Sequence, residues 1–264
     1  AARLVLANIG TKEDLRYLLD PNNYQISSHY HARGQANILQ AIVNSDRARP
    51  VDDIGKKMET FLTQRDPVLK LAAVKLAAHW EVKQTFALVE KMATQGERYT
   101  VLRHAAIECL PHVQPNSDLS TLLSLSSLPQ SLQIRKASIA ALAKLDVLRA
   151  ASIAIDYLET DSEFDLEAPL LRRLLSREGG GRALARAINE TELSPKHAER
   201  LLNTLISQGH SDPELAQVLR NLAGFTSEVP IFSEDFIDAL AEEVQVAGNP
   251  HAGESVFRST AANC

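Results

Sequence analysis

His79 and His112 stand 33 residues apart, each near the end of an apolar, helix-forming stretch. Imidazole changes charge near neutral pH and is a common metal ligand, so eight histidines in one chain invite a metal or proton-transfer reading. Neither this pair nor His29 and His31, which flank Tyr30, has a cysteine or carboxylate cluster at ligand spacing. The histidines therefore read as surface or loop residues, and no metal ligand is assigned. A second group is cationic. Lys70, Arg103 and Arg135 recur at offsets of 33 and 32. Such a column suits an acidic partner or a structural ladder to neighbouring acids. Glu167 takes the next place, which makes the column too short for a nucleic-acid groove. Nucleophile chemistry lacks its motif, since no G-x-S-x-G occurs. Gly179-Gly180-Gly181 is not followed by G-K-[ST], so it reads as a turn opening a helix over Arg182–Asn189 rather than a phosphate loop. Excision of damaged DNA bases would need aromatics and a carboxylate on a basic concave surface. The only tryptophan, Trp80, sits at a helix end beside His79, and the net charge is -5. No catalytic residue is assigned.

The elements that carry these residues are helical and repeated. Leu69–Ala77, Leu102–Leu110 and Ile134–Leu142 align without gaps, each with an apolar residue, a cation, then Ala72, Ala105 or Ala137, then Val74, Ile107 or Ile139. A degenerate fourth copy runs over Leu166–Leu174. Between the copies, Val51–Thr63, Val82–Thr94, Asp118–Ser126 and Val147–Leu158 carry apolar residues at helical spacing. Asp66-Pro67, Ser194-Pro195 and Asp212-Pro213 each place a capping side chain before a first-turn proline. Gly209, Gly224 and Gly248 each follow an apolar stretch, as C-terminal caps do. Ser162-x-x-Asp165 has the form of a capping box. Helix pairs are expected at about 51–79, 82–111, 117–144, 147–176, 180–208 and 212–247, after an irregular pair at about 11–19 and 32–44.

Composition agrees with this reading. Aromatics make up 5% of the 264 residues, and leucine and alanine dominate the apolar content. That palette is poor for sheets and good for helices packed on small residues. The acidic balance argues against a nucleic-acid or anionic-membrane surface, and no apolar run approaches the roughly 20 residues of a membrane span. The opening AARLVLANIG has no h-region of useful length and reads as the tail of a helix. Cys109 lies in the apolar LRHAAIECL and reads as a small buried hydrophobe.

Residues 51 to 208 resemble HEAT repeats, with Asp66-Pro67, Lys70, the alanines and the β-branched residue matching the second helix of such a repeat. The resemblance implies an all-α fold, an α-solenoid of HEAT-like helix pairs over residues 1–248, with the B helices and their cations on a concave face. Solenoids of this kind serve many unrelated roles.

The last residues differ in kind. Asn249-Pro250 starts a new short helix, and Gly253-x-x-x-Phe257 followed by Cys264 resembles the opening of a class I c-type cytochrome, ahead of its C-x-x-C-H attachment site. Residues 249–264 thus read as the start of a cytochrome c-like domain or as a disordered tail. The chain as a whole resembles the large haem-binding proteins of planctomycetes, in which a propeller, HEAT repeats and a C-x-x-C-H cytochrome follow one another. That resemblance implies a scaffold without a cofactor in the helical part, and haem c in the parent protein. It makes Cys264 a thioether-forming cysteine and places the protein in the periplasm or beyond. A free-standing cytoplasmic adaptor for a protein partner is the alternative. In both readings the helical part is no enzyme, and only the haem-protein resemblance implies an oxidoreductase, through domains of the parent outside this part.

Overall fold

The computed structural model describes residues 2–20, 23, 29–50, 54–95, 99–114, 118–161, 164–166, 168–209, 212–225, 234–249 and 253–254. The protein is all-helical, and among the described residues there is no strand. The first helices are α1 (Ala2–Ile9), α2 (Lys12–Leu18) and α3 (His29–Asn44). Then come α4 (Ile54–Leu62), α5 (Pro67–His79), a 3-10 turn at Lys83–Thr85, α6 (Phe86–Thr94), α7 (Thr100–Val113), α8 (Ser120–Ser126) and α9 (Leu132–Leu142). They continue as α10 (Val147–Thr160), α11 (Ala168–Leu175), α12 (Gly180–Thr191), α13 (Pro195–Ser207), α14 (Pro213–Leu222) and α15 (Glu234–Ala247). The chain divides into two compact units, one of Ala1–Ala154 with Arg173–Gly180, the other of Ile155–Arg172 with Gly181–Cys264.

Packing in the first unit follows the repeat. Helix α5 lies against α3, α7 against α5, and α9 against α7, while α4, α6 and α8 each pack on the helix that follows them. A helix flanked in this way keeps little wet surface, and within α5 only Val68 and Lys75 are exposed. Leu69, Ala72, Ala73, Val74, Leu76 and Ala77 are all buried. Its alanines let the backbones approach. Phe61, Met58, Ile107, Leu110, Ile139 and Leu142 fill the remaining space. Trp80, buried at the end of α5, donates from Nε1 to the Arg47 carbonyl at 2.7 Å and so ties α5 to the chain one repeat earlier. In the second unit α13 packs on α14, with Leu201, Leu205, Leu215 and Leu219 buried. The Tyr157 and Phe164 rings lie 5.6 Å apart in the same unit.

Helix starts follow the expected caps at two of three sites. Asp66 accepts from the Val68 and Leu69 amides, and Asp212 accepts from the Leu215 amide. Ser194 precedes α13, but its hydroxyl makes no cap bond. Its own amide instead donates to Glu159 at 2.8 Å. Gly181 is required by close approach, because a Cβ there would collide with the Asp212 carboxylate. Gly209 and Gly224 take the left-handed conformation of C-terminal caps, whereas Gly248 does not. Asp46 and Glu81 fill the same left-handed place without being glycine, with φ of 50° and 49°. Each closes the preceding helix with paired bonds, Glu81 N–H to Ala78 O and Val82 N–H to Ala77 O in the second case.

Several boundaries depart from expectation for local reasons. α3 begins at His29, so His29, Tyr30 and His31 open a helix. α7 runs through Pro111 to Val113. A proline so near the end removes only one helical donor, and the final turn is held by burial of Val113 and by Lys83, which donates to the His112 carbonyl at 2.8 Å. α12 starts at Gly180, so two of the three glycines lie inside it and only Gly179 makes the left-handed turn. In the fourth repeat copy α11 begins at Ala168, because Pro169 fits the first turn of a helix and not its middle. Ser162 of the expected capping box lies outside the described residues, as does Glu167.

Candidate functional site

Within the first unit the ends of α5 and α7 and the turn after α9 enclose an open pocket of about 510 Å³. Val43 of α3, Ala78, Ala105 and Cys109 supply its apolar wall. Lys75, His79, Glu81, Glu108, His112 and Lys144 supply its polar groups. Three of them are one repeat column: His79, His112 and Lys144 follow one another at spacings of 33 and 32. The pairing of His79 with His112 was legible in the sequence. Its continuation to Lys144 was missed, although the repeat offset alone leads there. Lys75 and Glu108 are likewise 33 apart, an equivalence the same offset would have exposed.

The geometry fixes the protonation of His112. Lys144 Nζ lies 3.0 Å from His112 Nε2. An ammonium can only donate, so this ring nitrogen accepts and His112 is neutral. Burial, then the charge of Lys144, holds the His112 ring below its usual range, and Glu81 offsets part of this. Burial also pushes the Lys144 ammonium down, with Arg177 and Arg173 adding to the effect against Glu108. Lys144 reaches the Glu108 carbonyl at 3.4 Å, and the Glu108 carboxylate pairs with Arg173 at 2.6 Å. His79 Nε2 sits 3.5 Å from Asp46 Oδ1. Lys75 reaches Gln40 Oε1 at 3.4 Å. In the lining itself the two lysines, Lys75 and Lys144, face two carboxylates, Glu81 and Glu108.

Cys109 is buried in this wall. Its thiol donates to the Val74 carbonyl at 3.4 Å, and burial pushes its pKa up to about 12. A thiol held protonated is neither nucleophile nor ligand. Among the described residues no group of three or more His, Cys, Asp or Glu is arranged to hold a metal, and no helix is long and apolar enough to cross a membrane.

The cations singled out by the sequence lie elsewhere on the same helices. Arg103 is half-buried, donating from Nε to the Ala93 carbonyl at 2.9 Å and from Nη2 to Gln130 Oε1 at 3.0 Å. Arg135 is buried, only 3% exposed. Lys70 is half-buried on α5. The three occupy matching places on α5, α7 and α9, and none lines the pocket. Cys264 lies outside the described residues.

The second unit holds a different cluster. Glu159 of α10 accepts from the Ser194 amide at 2.8 Å and meets His197 Nδ1 at 2.8 Å. Burial raises the Glu159 carboxyl, but the Ser194 amide and the His197 ring outweigh it, and it sits below its usual value. Nearby, Arg200 donates to Asp165 at 2.8 Å. The Ser194 hydroxyl makes no bond to the start of α13; with the Ser194 amide and the His197 ring it turns to the Glu159 carboxylate, so hydroxyl and ring share the acid rather than forming a histidine–serine pair.

The fold and the pocket define an all-helical protein with a mixed-charge recess. No protein-family model, curated protein or solved structure matches the chain.

Proposed function

We propose that the chain is a non-catalytic interaction scaffold, an α-solenoid of HEAT-like helix pairs that holds a protein partner or a neighbouring domain of its own chain. The observation that carries this reading is the periodicity of the contacts. Helices α3, α5, α7 and α9 pack one on the next. Several side-chain bonds between elements span one repeat, such as 29 residues for Lys83 to His112 and 38 for His197 to Glu159, while Arg173 to Glu108 spans two. Stacking of units that touch only their neighbours is how repeat proteins bury a core that no single pair can bury. Against catalysis stand the closed thiol of Cys109 and the neutral, lysine-bound His112. The acidic balance argues against nucleic acid as the partner.

Local cooperativity tests the scaffold. Leu76→Ala in α5 removes a fully buried side chain and should cost about 2–5 kcal/mol. In a chain of stacked repeats, amide hydrogen exchange should rise in α3, α5 and α7 and stay protected in α13 and α14. Uniform loss of protection across all helices would show a single cooperative core and sink the solenoid.

A second reading extends the first: the scaffold positions a c-type haem domain, with Cys264 as the first attachment cysteine, outside the cytoplasm. Its support is the Gly253-x-x-x-Phe257 and Cys264 pattern. A reduced visible spectrum of the parent protein, matured with haem, should show a c-type band that survives denaturation. Absence of covalent haem leaves the adaptor reading alone.

A further inference from the structure

We propose that α15 docks a basic amphipathic helix of a partner protein. Its apolar stripe of Ile237, Leu240, Ala241 and Val244 meets the partner's apolar face, and the carboxylates beside the stripe meet lysine or arginine. This deepens the scaffold reading by naming the chemistry of the partner, and it rests on that reading.

The sequence of α15 sets the geometry. Its 14 residues, EDFIDALAEEVQVA, span roughly 21 Å as a helix. Ile237, Leu240, Ala241 and Val244 stand at i, i+3, i+4 and i+7, which puts them on one stripe. A globular protein ordinarily buries such a stripe. Here Ile237 is 53%, Leu240 47% and Val244 60% exposed, and every α15 side chain that the structure describes is exposed. Helices α13 and α14 of the same unit show the ordinary outcome, with Leu201, Leu205, Leu215 and Leu219 buried. The spacing on α15 is that of a helix offered to a partner's apolar face, and Ala241 in mid-stripe leaves room for a larger side chain opposite.

Charge decides the occupant. Helix α15 carries five carboxylates, Glu234, Asp235, Asp238, Glu242 and Glu243, and no cation. At about 100° per residue, Asp238 and Glu242 border one edge of the stripe and Glu243 the other. Among the described residues none of these three bordering acids is in an ion pair. Elsewhere in the unit the pattern is different, since Glu190 pairs with Arg186, Glu214 with Arg182 and Asp165 with Arg200. An apolar stripe edged on both sides by unneutralised acids is complementary to an apolar face edged by cations. A second copy of α15 would set like charges across the same seam. An anionic lipid surface or a nucleic acid would meet the same repulsion.

The test uses the intact chain, with fluorescence anisotropy of a labelled probe helix for affinity and backbone amide resonances for location. The probe is a three-heptad peptide with leucine at the a and d positions and lysine at e and g, and its control has glutamate in place of lysine. The lysine peptide should bind saturably and shift the α15 amides while those of α13 stay in place, and the glutamate peptide should not bind. Leu240→Gln with Val244→Gln should weaken binding about tenfold or more. Glu242→Gln with Glu243→Gln should weaken it at low salt by about the same factor and flatten its salt dependence. Both pairs change exposed positions, so unshifted α13 and α14 amides certify the fold. Absence of saturable binding, equal affinity for the two peptides, or unchanged affinity in the Leu240→Gln, Val244→Gln variant would overturn the proposal. So would a dimer of the free chain that this variant dissolves, which makes a second copy the occupant, or α15 shifts with phosphatidylcholine vesicles but not with the peptide. Hydrogen exchange in Leu76→Ala reads α3, α5 and α7 rather than α15, so scaffold and docking helix can fail separately.

Discussion

His112 in the first unit meets an ammonium, and His197 in the second meets a carboxylate. His112 lies in an open recess, its proton affinity lowered first by its own burial and then by the neighbouring Lys144. His197 lies over Glu159, whose oxygen is shared with the Ser194 amide at the start of α13. The neighbouring recess is about 10 Å³, too small to admit a ligand. One histidine thus stands against a cation where space is open. The other stands against a carboxylate where space is closed. The difference separates a site that can receive something from a joint that holds two helices together.

Breaking the joint should have the largest effect. Glu159→Ala strips the acceptor from the Ser194 amide and the His197 ring at a carboxylate only 22% exposed. It should cost about 2 kcal/mol at neutral pH, the usual penalty for orphaning part-buried donors. Lys144→Ala, at a residue that is exposed as a whole although its ammonium is partly desolvated against His112, should change stability by less than about 0.5 kcal/mol. The Glu159 carboxyl is depressed below its ordinary value of 4.5. Its contribution is therefore present above that value and is lost as pH falls through the folded value. The gap between wild type and Glu159→Ala, measured by urea denaturation, should close in acid. Equal losses for both variants at neutral pH would erase the distinction between joint and site.

The helices were legible because their signals are local. Asp66-Pro67 and Asp212-Pro213 announce their own caps, and the apolar spacing of Leu69–Ala77 needs no partner to be read. The pocket was half legible. His79 and His112 were visible as equivalent repeat positions, yet without neighbours they read as surface residues. Their significance comes from Lys144, Glu108 and Arg173, which only the stacking of α5, α7, α9 and α11 residues brings close. Glu159 was not legible, because its partners lie 35 and 38 residues away and an ordinary Ser-Pro cap was the simpler reading of Ser194. Asp46 and Glu81 escaped for a related reason, since a left-handed cap is expected of glycine and neither residue is one.

Acid should also distinguish the recess. The folded His112 ring has its proton affinity lowered, first by burial and then by Lys144. The unfolded chain binds that proton first as pH falls below about 6.5, so stability drops until the folded ring is protonated too. His112→Gln keeps an acceptor for Lys144 and removes the titration. Its stability should be flatter than that of wild type just below neutral pH, by less than the Glu159 effect. If both curves run parallel, the folded ring is not held neutral at all, and the contrast with His197 loses its basis.

The smallest effect is expected at two matched turns. Glu81 and Glu192 are both left-handed, with φ of 49° and 53°, the one beside the recess and the other just ahead of Ser194. Glycine removes the strain of a side chain there but adds freedom to the unfolded chain, so each change to glycine should stabilise by only about 0.5 kcal/mol in thermal unfolding. The two should part company in their electrostatics. Glu81 is the group that partly restores proton affinity to His112, so Glu81→Gly should move the imidazole titration of His112 further down. Glu192→Gly should leave that titration unmoved. A downward shift with Glu81→Gly alone ties the strained turn to the recess it borders. The same titration in both variants would leave Glu81 a helix stop with no electrostatic link to the recess.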